Sequence, residues 1–448
     1  MSEPTEKFQQ CSRPPSSEDM VSTKAVEAEA NEFNWRSASV LLGTALSYFI
    51  TVGFSNAFGV FQQYYVAHLL SSKSNFQIAW IGSFNTFMLF AIAAPAGMLG
   101  DKLGPTIPIA IGVCCEILAI FMLSLCKEYY QVFLAQGVLL GVGFSFVALP
   151  ATAIPPLYFK RNRALSQGVT IGGSSLGGIV WPIIMDQLLN KRRLSFGWSI
   201  RILGFIVIPL AAIVLLTVRR PVPKKSNVDA PESRTEKGSA DTSAQESTPA
   251  KPKKDYGLLK SPVGGFLFLG LAFVYLGFFS PLYFVSTYAV SLGMSEGFAF
   301  YLVSVANGAS LVGRILPGFL ADRYFGVFNA LIVSCVLSGI VAFCWTTATS
   351  VAGVVIWIAA YGFCSGAILS LQVVSASSLV QPHMVGAAIG AAMTSVSLTG
   401  LFGSPIAGEL EKRGYVALSC WSGAALLTGG VCILMARLWR EKKLLVKI

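Results

Sequence analysis

Twelve apolar stretches of roughly twenty residues run along the chain, separated by short polar breaks and divided into two sets of six by one long polar segment. A segment of that length and composition spans the hydrocarbon layer as a helix, which satisfies its own backbone donors and acceptors. The first six predicted spans are Ser37–Phe61, Ile78–Leu99, Pro105–Cys126, Tyr130–Ala153, Ala164–Leu188 and Trp198–Val218. The second six are Ser261–Val290, Gly297–Leu320, Val327–Thr347, Val351–Val374, Val385–Gly408 and Tyr415–Arg437. The apolarity is continuous rather than alternating in ten-residue units, which argues against a transmembrane barrel. The fold class is therefore an all-α membrane protein of two six-helix bundles.

The polar remainder sets the domain plan. Residues 1–36 are rich in Ser, Pro and Glu, lack the apolar core of a secretory signal peptide, and read as a disordered tail. The bundles are expected at 37–218 and 258–437, joined by a flexible linker at 219–257 with basic clusters at both ends; residues 438–448 form a second tail. Only 12% of the 448 residues are charged and 54% are hydrophobic, with a mean hydropathy of +0.64. That is about half the charge of a soluble domain, too little to cover a water-soluble surface of this size.

The net charge of +11 points first to nucleic acid or a membrane surface, and its placement decides for the membrane. Most of the 33 lysines and arginines fall on one side once both tails, the linker and the even-to-odd connections are placed together. The other side holds Lys73, Lys127, the cluster Lys191–Arg193, Lys412 and Arg413. The bias puts both termini in the cytoplasm of a multi-pass cell-membrane protein. The cluster Lys191–Arg193 runs against it, as a headgroup contact or an extracellular anion vestibule. The nine cysteines form no C-x-x-C pair and lie mostly in apolar runs, where cysteine acts as a small hydrophobe. His68 and His383 have no metal-ligand spacing, and there is no phosphate-binding G-x-x-x-x-G-K-[ST] loop; nothing calls for a cofactor or for ATP-driven pumping.

An internal echo supports two related halves. "LGDKLG" (Leu99–Gly104) follows the second span and "LADRYFG" (Leu320–Gly326) follows the eighth. Each places an aspartate and a basic residue, Asp101–Lys102 and Asp322–Arg323, before a glycine able to take a tight turn. These four residues are expected to brace helix ends on the cytoplasmic side.

Twelve spans, a central polar linker and this repeated loop resemble the major facilitator superfamily, whose two repeated halves enclose a substrate site near the midplane. "GFSNAFGVFQQYY" (Gly53–Tyr65), "YFKRNRALSQGVTIGGSSLGGIVWP" (Tyr158–Pro182) and "GRILPGFLADR" (Gly313–Arg323) are similar to the monocarboxylate porter family, in particular its fungal branch. The resemblance implies alternating access and a cargo among monocarboxylates, vitamins or exported secondary metabolites. Two positions depart from the family's proton-coupled lactate carriers. Ser310 stands where they have an acid four residues before the arginine, and Val60 aligns with their first-span lysine. Both departures argue against simple proton–lactate symport.

Arg314, inside the apolar eighth span, is the strongest single signal. A guanidinium at that depth costs at least about 2.5 kcal/mol, so it should face a watery cavity or a partner, and its planar fork suits a carboxylate. It is read as a substrate or gating residue, or else as one half of a structural pair. Glu116 in the third span carries a coupling proton or pairs with another helix, whereas Asp186 and Arg201 lie near span ends where snorkelling is cheap. The resemblance places the first, fourth, seventh and tenth helices around the cavity, with the eighth and others completing it. That makes Asn56, Tyr275, Tyr283, Asn307, Tyr361, Ser365 and Gln372 candidate contacts, each also explicable as helix packing. Gly172 and Gly173 belong to two small-residue repeats of the fifth span that allow close approach and sliding of helices.

The sequence thus predicts a secondary active transporter of a small organic molecule, possible anions included, in the lipid bilayer, with export of a secondary metabolite as the leading reading. A proton-coupled importer of a monocarboxylate is the rival, and a nontransporting sensor is an alternative of another class. No nucleophile–base pair suggests an enzyme.

Overall fold

The computed structural model describes residues 32–192, 194–221 and 261–441. The predicted linker beyond Pro221, most of both tails and Arg193 lie outside the described residues. Among the described residues, eleven helices are long and apolar enough to span a membrane: α1 (Trp35–Leu69), α2 (Phe76–Leu103), α3 (Thr106–Leu123), α4 (Tyr129–Tyr158), α5 (Arg163–Leu189), α6 (Phe196–Thr217), α7 (Pro262–Ser291), α8 (Glu296–Phe325), α10 (Val351–Ser377), α11 (Pro382–Glu411) and α12 (Tyr415–Arg440). The twelfth apolar helix, α9 (Val327–Phe343), has 17 residues and gives way to a 3₁₀ turn at Trp345–Thr347, where a longer span was expected. Large apolar side chains on the outer faces, Leu118, Leu216, Ile356 and Val431 among them, stay exposed, as a lipid-facing surface requires.

Local chemistry sets the ends. Asn34 and Ser74 open α1 and α2 with reciprocal capping boxes through Ser37 and Gln77. Consequently α1 begins at Trp35, and the last residues of the predicted tail are ordered against the bundle. Gly104 and Gly326 close the two Asp-basic loops with φ of 84° and 77°, the left-handed conformation that only glycine adopts without strain.

Packing repeats with a period of six helices. α1 packs on α5 and α6 as α7 does on α11 and α12; α3 packs on α4 and α6 as α9 does on α10 and α12. Two lobes result, and they meet along two helix pairs related by the same repeat, α5 with α8 and α2 with α11. At both seams, glycines bring backbones together. A Cβ on Gly318 would lie 2.6 Å from the Ala164 carbonyl, and one on Gly390 would lie 2.5 Å from the Ala93 carbonyl.

Several helices are broken near mid-span. In α2 the break falls at Ile92, where Pro95 removes a backbone donor, and Thr394 of α11 donates to the Phe90 carbonyl (3.1 Å) and accepts from Ala94 N (3.1 Å). In α7 it falls at Phe279, where Pro281 frees the Gly277 carbonyl, and Ser422 of α12 takes that carbonyl at 2.7 Å. Hydroxyls from neighbouring helices thus satisfy the freed groups, which makes such breaks tolerable at membrane depth.

Candidate functional site

Arg314 lies on α8 at the seam with α5, 3% exposed. Its Nη1 donates across the lobe boundary to the Ile171 carbonyl (2.7 Å) and to Ser174 Oγ (2.6 Å), both on α5, while its Nε has no partner. Ser370 of α10 donates to its backbone carbonyl at 3.1 Å. Gly168 brings α5 this close, because a Cβ there would meet the Arg314 backbone.

Two tyrosines from pseudo-equivalent helices flank this charge. Tyr48 of α1 is hydrogen-bonded to Thr152 of α4 at 2.8 Å, and the Tyr275 hydroxyl of α7 accepts from Gln372 Nε2 of α10 at 2.8 Å. Both phenols lie within electrostatic range of the guanidinium, with no hydrogen bond to it. Gln167 of α5 donates to the Thr152 carbonyl at 2.6 Å, and the Oε1 atoms of Gln167 and Gln372 are buried without a partner. Unspent donors and acceptors thus collect around Arg314 where α1, α4, α5, α7, α8 and α10 converge. Buried polar groups are ordinarily paired, so these atoms retain hydrogen-bonding capacity that a polar group or water could take up.

An aromatic ladder climbs α7 from this centre. Tyr275 stacks on Phe278 (5.6 Å) and meets Phe90 of α2 edge-on (5.6 Å); Phe279 stacks on Tyr283 (5.3 Å), which is 51% exposed. Asn56 is exposed in the interrupted stretch of α1 and reaches the Ser174 carbonyl at 3.4 Å. Asn307 lies against Gly178 of α5, its amide bonded to Val303 of its own helix at 3.0 Å.

The remaining predicted residues sit elsewhere. Tyr361 is fully buried and donates to the Phe278 carbonyl of the same lobe at 2.7 Å, and Ser365 bonds within its own helix at 3.4 Å. Glu116 is fully buried against Gly143 of α4, both carboxyl oxygens without a hydrogen-bond partner, and does not join the centre. Gly172 faces Leu311 of α8, and Gly173 packs on the Ala45 backbone of α1. Arg201 bonds Ser124 at 3.2 Å and lies over the Trp198 ring. Tyr48, Thr152, Gln167 and Ser174 were not singled out in the sequence.

The two Asp-basic loops form a matched pair of clasps. Asp101, at the end of α2, accepts from Gly386 N (3.0 Å) and Ala387 N (2.7 Å) at the start of α11. Asp322, at the end of α8, accepts from Ala164 N (3.1 Å) and Leu165 N (2.8 Å) at the start of α5. Each carboxylate caps the first turn of a helix from the other lobe, where backbone donors are otherwise unpaired and the helix dipole favours negative charge. Lys102 and Arg323 are exposed and take no part in either clasp.

Two pseudo-equivalent lobes, a polar centre at their seam and paired clasps at one end define a transporter architecture of the alternating-access kind. Residues 40–404 match the model of the Major Facilitator Superfamily, and the chain belongs to that family. It is 47% identical over 419 residues to the agnestins efflux protein AgnL12 of Paecilomyces divaricatus, covering 93% of this chain and 91% of that protein. It is 35% identical to the aspyridones efflux protein apdF of Emericella nidulans, covering 90% and 78%. Among solved structures, the Escherichia coli fucose:proton symporter FucP superposes with a TM-score of 0.65 at 15% identity, covering 89% of this chain and 98% of that one. The human organic anion transporter MFSD10 superposes with a TM-score of 0.62 at 15% identity, covering 89% and 98%.

Proposed function

We propose that this protein exports a small organic metabolite by alternating access, its cargo held at the lobe seam around Arg314. The observation that carries export is the likeness over 93% of the chain to a protein named for efflux. The chemistry of the centre supports a cargo with an apolar, aromatic-compatible body and an anionic or strongly accepting group. The α7 ladder suits the former, and the guanidinium with its free Nε suits the latter. In the clasped state Arg314 is held by α5; a cargo oxyanion would draw it away and so couple occupancy to the seam that must open. Asp101 and Asp322 act as the inner gate, on the cytoplasmic side set by the basic residues.

Within the superfamily we assign the chain to the fungal branch of monocarboxylate porter-like carriers, on the three motifs in α1, α5 and α8. Ser310, packed on Gly366 of α10, holds the position of an acid in the lactate symporters, which favours export over proton–lactate uptake. Cells that lack the protein and cells that express it, loaded with labelled aromatic acids with and without a proton uncoupler, test the reading. Lower accumulation that the uncoupler abolishes supports proton-driven export; concentrative, uncoupler-sensitive uptake of a simple acid overturns it.

A further inference from the structure

The two clasps are equivalent in form but not in their surroundings. At α11 the residue preceding the helical segment is Met384, whose side chain makes no cap, so Asp101 meets the second and third backbone N–H groups without a rival. At α5 the corresponding residue is Asn162, a side chain of the kind that ordinarily caps its own helix by accepting from those same two N–H groups. It makes no such bond here. Its Nδ2 donates instead to Glu32 Oε2 at 2.9 Å, while Glu32 Oε1 accepts from Lys160 N (2.9 Å) and Arg161 N (2.8 Å). Glu32 is in turn fixed by Ser37 Oγ, which donates to its carbonyl at 2.6 Å, and by its neighbour Phe33, whose ring packs at 5.0 Å on buried Phe159.

We propose that Glu32 is a positioning residue of the inner gate: it diverts Asn162 from capping α5, and so reserves the first-turn donors of that helix for Asp322 of the opposite lobe. The segment ahead of α1 thereby decides whether the cap of α5 is supplied within the lobe or across the seam. Without Glu32, Asn162 rotates onto Ala164 N and Leu165 N, the cross-lobe carboxylate loses these two donors, and the gate opens more readily. The claim rests on the reading of Asp322 as a gate residue, and the experiment separates the two.

The test is a distance measurement across the gate in the full chain in lipid nanodiscs. Nitroxides are attached to ketone side chains introduced at exposed Thr106 and Tyr324, so the native cysteines stay in place. Glu32→Ala is expected to raise the open-to-closed ratio about tenfold, the loss of about 1.4 kcal/mol of clasp. Adding Asn162→Ala removes the rival cap and returns the distribution toward the closed state, a reversal that general damage to the tail would not produce. Glu32→Gln keeps an acceptor and is expected to shift the ratio less, in the same direction, and carries the same test if Glu32→Ala fails to fold. Asp322→Asn is expected to open the gate whatever stands at 32; no effect of that variant would remove the gate reading itself. An unchanged distribution in the Glu32 variants, or a shift that Asn162→Ala leaves in place, overturns the role of Glu32.

Discussion

Arg314 joins two requirements that pull against each other at one residue. Burial demands partners for the guanidinium, and α5 supplies two acceptors, both to Nη1, while Nε has none among the described residues. Arg314→Ala is expected to insert normally and lose transport at least about tenfold, since a hydrogen bond to a charged group is worth about 1.5–3 kcal/mol. Arg314→Lys should recover only part of it, because a point charge cannot hold the α5 partners and a cargo oxyanion as a planar fork can. Initial efflux rates normalised to surface abundance check both variants. Tyr275→Phe, which removes the acceptor of the Gln372 amide, is expected to weaken apparent affinity several-fold with turnover retained. The arginine was legible in the sequence because charge inside an apolar run is expensive. Tyr48, Thr152, Gln167 and Ser174 were not, because a hydroxyl or amide in such a run satisfies itself as readily by ordinary helix packing. Their partners also lie up to 140 residues away in sequence.

At the scale of elements, glycine is the recurring device. Gly97 and Gly390 at the α2–α11 seam, and Gly168 and Gly318 at the α5–α8 seam, each face the backbone of the other lobe. Gly168→Val is expected to push α5 off α8 and lower turnover at least about tenfold, with the protein still folded by size-exclusion chromatography; undiminished turnover would show that the seam need not close this tightly. The glycine repeats of the fifth span announced close packing in the sequence without saying against what. Gly173 turned out to serve packing on α1 within the lobe, while Gly168 and Gly172 serve the seam with α8. The breaks in α2 and α7 were not read from the sequence. Pro95 and Pro281 mark them, but the capping hydroxyls of Thr394 and Ser422 come from distant helices that only the fold brings near.

For the whole molecule, the repeated Asp-basic loop was the most informative pattern in the chain, because occurrence at the same place in both halves implies two related lobes. The structure gives the repeat its physical content: the aspartates work, across the seam and in matched geometry, while the basic residues face solvent. Asp322→Asn replaces a charge-assisted cap with a neutral amide and is expected to slow turnover about fivefold while substrate affinity stays largely unchanged. The measure is the split between maximal rate and half-saturation in a concentration series. Equal loss in both would place Asp322 in general stability rather than in the conformational cycle.

The central claim is that a charged side chain shared between two lobes carries an acceptor-bearing organic cargo outward. Its most direct test is the accumulation of labelled aromatic carboxylates and their methyl esters in cells expressing either the wild-type chain or Arg314→Ala at equal membrane abundance. The account predicts that the wild type depletes the acids more than the esters and that the variant depletes neither. Depletion by Arg314→Ala equal to that of the wild type would contradict it.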